Sequence, residues 1–241
     1  MSMIDKVIKQ CFKDTANAFM MIIFGGFFSS LLISFGFTVL IAPVAFIIMI
    51  VGVWKVISYL FYKSLYTEEA IIYQVLPVKV EEIIVSRIFV GMIAWMLFYL
   101  TFIESIALGI AFLSSDIGVM DALHELCELV YALGAAAFVC FAITFITSIF
   151  LEVVLIFVGV TYFNTSESAN RNGLVRVAII LGFWALLKGS EMLYSLVLDF
   201  ATQGEMMTYY LATAGLIVVS IMVGCLGCKL IKNRLENNLQ L

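Results

Sequence analysis

Charge is scarce in this sequence: Asp, Glu, Lys and Arg make up 12% of its 241 residues, while hydrophobic residues make up 64%. So few charges cannot form a water-facing shell, which excludes a soluble enzyme, a disordered tail and a secreted disulfide scaffold. Proline is nearly missing as well, with only Pro43 and Pro77 present, so little interrupts a helix. Histidine occurs once, as His124. That excludes the two-histidine helical zinc site of intramembrane metalloproteases, and a Ser/His/Asp triad would need His124 beneath a lipid-facing nucleophile. No stretch matches G-x-x-x-x-G-K followed by Ser or Thr, the loop that cradles nucleotide phosphates, so the chain has no evident means of hydrolysing ATP itself. No catalytic residue, metal or cofactor is therefore expected in this chain.

What the sequence does hold is long apolar runs, with a mean hydropathy of +1.14. One bilayer span takes about 20 apolar residues, and the runs here exceed that several times over. The expected fold is all-α, a polytopic membrane protein. Within residues 1–16, Lys6, Lys9 and Lys13 stand among Ile4, Val7, Ile8, Cys11 and Phe12, which recur at helical spacing. This predicts an N-terminal interfacial elbow helix; no small-residue cleavage site follows it, so it is read as retained rather than as a signal peptide. Six transmembrane helices are predicted near 17–40, 44–62, 88–113, 129–152 with an extension to 163, 175–198 and 208–228, all in a single transmembrane domain 1–241. Both termini are placed in the cytoplasm. That topology puts eleven basic residues inside, namely Lys6, Lys9, Lys13, Lys63, Lys79, Arg87, Arg171, Arg176, Lys229, Lys232 and Arg234, and none outside. As a helix, 129–163 is on the order of 50 Å long against a hydrocarbon core of about 30 Å, and it is read as one helix whose lower end projects.

Ionisable groups inside a bilayer are costly unless paired or hydrated, so each is a candidate for function. Lys55 lies close enough to its helix end to snorkel, and Glu152 lies near the inner interface. Glu104, Lys188 and Glu191 fall on the order of 18–26 Å above their cytoplasmic helix starts, and Lys188 and Glu191 share a face at i, i+3. They are read either as a polar cluster lining the outer part of a translocation path or as a structural ion pair between helices. Asp121, His124, Glu125 and Glu128 could together hold a divalent cation, but are read as the solvated face of a short outer helix. Cys225 and Cys228 are read as small packing residues, because no soluble redox fold surrounds them. Gly25, Gly26, Ser29, Ser30 and the Gly134-Ala-Ala-Ala137 run offer further small surfaces for close helix approach.

The most informative stretch joins the second and third spans. Thr67 can cap a helix whose first turn holds Glu68 and Glu69, the acids favoured at the positive end of the helix dipole. Pro77 stops that helix, and a second begins near Val80. Here Tyr66, Glu68, Glu69, Tyr73, Leu76, Pro77, Glu81 and Glu82 form an acidic, tyrosine-containing helix, then Leu-Pro, then an acidic pair leading into a span. This pattern resembles the first cytoplasmic loop of the membrane subunits of ATP-binding-cassette (ABC) transporters of the type-2 permease family. Lys79 departs from it, since a small hydroxyl residue is more usual as the cap there.

With the elbow helix and six spans, the resemblance extends over nearly the whole chain. It implies that 63–87 is a coupling loop, which docks on a separate ATPase subunit and carries its closure to the spans. It further implies that ATP and Mg bind to that partner, and that a second copy of the chain or a related permease completes the path. The location implied is a bacterial plasma membrane. Cargo would be hydrophobic or amphipathic peptides of the phenol-soluble modulin or bacteriocin kind, with no nucleic-acid partner. Two other classes stay open: an ion-gradient-driven secondary transporter, although no inverted repeat stands out, and a non-transporting membrane scaffold or immunity protein.

Overall fold

The computed structural model describes residues 3–34, 42–66, 79–113, 134–165 and 206–239, with shorter pieces at 181–182, 185–190, 192–193 and 195–197. Among these residues the chain is all-helical. Its elements are α1 (Met3–Ser34), α2 (Ala42–Ser58), a π-helical turn (Tyr59–Lys63), α3 (Ser64–Tyr66), α4 (Val80–Leu113), α5 (Gly134–Thr165) and α6 (Met206–Leu239). Among the described residues, four helical stretches are long and apolar enough to cross a membrane: Phe46–Tyr66, Val80–Ile103, Val139–Thr165 and Met206–Asn237. Their outward side chains suit hydrocarbon rather than water, for Trp54 is 70% exposed, Leu211 64% and Met222 60%.

Helix boundaries follow local chemistry. Pro43 falls in the first turn of α2, where a missing N–H leaves no intrahelical bond unmade. By contrast, α1 crosses residues 16 and 17 without a break. No Pro or Gly occurs from Met3 to Phe24 to interrupt it, so the boundary expected between a 1–16 elbow and the first span is not a helix boundary. Helix α5 is likewise uninterrupted from Gly134 to Thr165. Residues 129–133 and the acidic outer segment with His124 lie outside the described residues, and the expected fifth span is represented by the pieces within 181–197.

The chain divides into two compact units. The first comprises Met1–Cys11, Leu60–Met92 and Val139–Leu241. Its core is built from Leu60, Phe61, Ile84, Val153, Phe157, Ile231 and Leu235, all essentially inaccessible. The Phe61 and Phe157 rings stack at 4.4 Å. The second comprises Phe12–Tyr59 and Ile93–Phe138, and here glycines set the helix spacing. A Cβ on Gly52 would lie 2.8 Å from the Ile22 side chain, and one on Gly26 would lie 2.5 Å from Thr101 Cβ. Phe46 packs on Phe98 and Phe102, with centroids 5.9 and 5.2 Å apart.

Candidate functional site

The pattern singled out in the sequence lies between α3 and α4. Its middle, Glu68, Glu69, Tyr73, Leu76 and Pro77, lies outside the described residues, whereas Tyr66 at one end and Glu81 and Glu82 at the other are described. Both described ends belong to the first unit.

At the Tyr66 end, the π-helical turn widens the backbone bonding from i→i+4 to i→i+5. The Leu60 carbonyl in this turn accepts two side-chain hydrogen bonds, from Arg87 Nη1 at 2.9 Å and from Ser64 Oγ at 3.2 Å. Arg87 is reached from α4, 27 residues along the chain, and it is 0% exposed. Gly91, one turn further along α4, makes room for the turn: a Cβ there would lie 3.2 Å from the Phe61 ring and from Val153. Tyr66 then places its ring 6.4 Å from that of Tyr62. Its hydroxyl is buried beside the Thr161 hydroxyl of α5 and close to the Arg87 guanidinium.

At the other end, Lys79 is the cap of α4. Its N–H donates to Glu82 Oε2 at 3.4 Å, and its carbonyl accepts the N–H groups of Glu82 and Ile83 at 3.0 and 3.2 Å. This is half of a capping box, in which the third-position Glu reaches back to the cap N–H. A lysine can therefore stand where a hydroxyl residue is usual. Glu82→Ala should fray this first turn, costing about 0.5–1 kcal/mol, and amide exchange over 82–84 should report it as a several-fold acceleration. Glu81, one position earlier, forms an ion pair with Lys232 of α6.

Two of the three substrate-path candidates fall on described helices. Lys188 is exposed on the helical piece 185–190, Glu104 lies on α4, and Glu191 lies outside the described residues. Lys55, expected to snorkel, is exposed and donates to Met21 Sδ at 3.6 Å. In α6 the packing role read for Cys225 and Cys228 fits only the half-buried Cys228, and the closest approaches fall to their glycine neighbours. Cys225 is exposed, while a Cβ on Gly224 or Gly227 would lie 2.6 Å from Phe150 or 2.7 Å from Val154.

Sequence reasoning passed over Leu60, Ser64, Thr161 and Arg87. Arg87 served there only as a marker of the inner side. A signal was available, because it stands alone among Ile84, Val85, Ile88 and Phe89, and a cation in such apolar surroundings needs an acceptor. No protein-family model matches this sequence, no curated protein matches it, and no solved structure matches it.

Proposed function

We propose that this chain is the permease subunit of an ABC exporter, with 63–87 as its coupling loop. The observation that carries the reading is that both described ends of the loop are held. Tyr66 follows a turn gripped by the buried Arg87, and α4 begins at a capped turn paired to α6. A loop passes on the movement of a docked partner only if its ends are fixed to the elements that must move, and this one is tied to α4, α5 and α6. Loops carried on such a scaffold are where function concentrates.

In this reading the chain has six spans, an N-terminal elbow and both termini in the cytoplasm. The partner ATPase holds ATP and Mg, and two permease subunits, identical or related, enclose the path. Glu104, Lys188 and Glu191 line the outer part of that path. The cargo is an amphipathic peptide of the phenol-soluble modulin or bacteriocin kind, and the location is a bacterial plasma membrane; both rest on the family resemblance of the loop.

The test is purification from the native membrane. The expected result is stable co-elution with an ATPase, and ATP turnover abolished by Glu69→Lys or Pro77→Gly while the chain still inserts. A chain that purifies alone and takes up solute on an ion gradient overturns the reading.

A further inference from the structure

Helix α6 has 34 residues, about 51 Å at 1.5 Å per residue against a hydrocarbon core of about 30 Å. Its final turns therefore extend beyond the apolar run. They do not stand clear of the protein: Ile231 is 0% and Leu235 1% exposed, both packed into the first unit. Between them the polar residues reach two other helices. Lys232 Nζ pairs with Glu81 in the first turn of α4 and lies 3.8 Å from Glu236 on its own helix. The Arg234 guanidinium sits 5.1 Å over the Tyr162 ring near the end of α5, within cation–π range. The tail thus touches the helix that begins where the loop ends, and the helix that places Thr161 beside Tyr66.

We infer that Lys232, supported by Arg234, is a positioning residue that holds the first turn of α4 against the α6 tail. Lys232 and Glu81 keep side-chain exposures of 35% and 54%. Exposed pairs add little to global stability, so the role of this one is local. Glu81 also stands at the positive end of the α4 dipole, so Lys232 pairs with the acid that already favours that helix start. The inference deepens the permease reading by naming what holds the α4 end of the same loop. Its test needs no ATPase, so the two can fail separately.

The test is amide hydrogen exchange on the full chain in lipid nanodiscs, followed at residues 80–86. Lys232→Glu should accelerate exchange there about two- to fivefold, and Glu81→Lys somewhat more, because it also places a cation at the helix N-terminus. Lys232→Arg should leave exchange within twofold of the wild type. The charge-swapped double variant should recover at least half of the acceleration seen with Glu81→Lys alone, a rescue that a general loss of packing would not show. Exchange at 140–155 in α5 serves as the folding control. Unchanged exchange at 80–86 in both single variants, or a double variant as fast as the sum of the two, overturns the inference.

Discussion

Arg87→Leu is expected to destabilise the chain by about 3 kcal/mol, read as a lowered midpoint for reversible unfolding in mixed detergent micelles. The guanidinium makes a charge-assisted bond to the Leu60 carbonyl at 2.9 Å from a position with no exposure, and losing a bond to a charged group costs about 1.5–3 kcal/mol. Leucine is also smaller than the side chain it replaces, so a cavity adds to the loss. Exchanging a buried charged pair for apolar residues is often neutral when both members can be changed. Here one member is a backbone carbonyl, and no substitution removes it. Arg87→Lys keeps the charge without the planar fork and should fall between the two. If Arg87→Leu unfolds at the wild-type midpoint, the guanidinium does not hold the π-helical turn. In the permease reading the same variant should uncouple ATP turnover from transport, because the turn carries the Tyr66 end of the loop.

The contrast between Arg87 and the spans shows how far the sequence is legible. Long apolar runs and two prolines suffice to locate helices: α2 begins beside Pro43, and α4 begins at Val80, just after the Pro77 segment. These are local signals, with each residue speaking for its own turn. The π-helical turn has no such signal, since Tyr59-Leu-Phe-Tyr-Lys63 reads as ordinary apolar helix. What fixes it is an acceptor–donor match across 27 residues. The Lys232–Glu81 pair spans 151 residues and was visible only as two charges of opposite sign on the same predicted side. The continuity of α1 was hidden for the opposite reason: the change from a lysine-studded stripe to an all-apolar run looks like a boundary, yet backbone hydrogen bonds do not depend on which face is wet. The two ends of the candidate site are thus partly readable, as an acidic pair and a tyrosine, while the groups that grip those ends are not.

Gly227→Ile carries the second large effect, an expected loss of about 3 kcal/mol by the same unfolding measurement. Lipid tails are as apolar as leucine, so helices in a bilayer gain little from simply hiding apolar surface, and close packing on small residues takes over. A Cβ on Gly227 would stand 2.7 Å from Val154 Cγ1 and 3.1 Å from Val158 Cγ2. Val154 is 0% exposed, and a β-branched side chain in a helix has essentially one rotamer, so it cannot turn away. Relief requires α5 and α6 to separate, and overpacking of this kind costs about 1–3 kcal/mol, with isoleucine at the upper end. Gly224→Ala should cost less even though its Cβ would come as near, at 2.6 Å. The atom it meets is the far end of the Phe150 ring, which is only partly buried and can swing outward. Gly215, with nothing within 4 Å of its Cβ position, should change sign: Gly215→Ala removes a poor helix former from mid-helix and should stabilise by about 0.5–1 kcal/mol. The order Gly227→Ile, Gly224→Ala, Gly215→Ala from most to least destabilising therefore tests whether helix spacing in the first unit is set at Gly227. A Gly215→Ala variant as damaging as Gly227→Ile would mean that the exposed face of α6, rather than its contact with α5, is the constrained one.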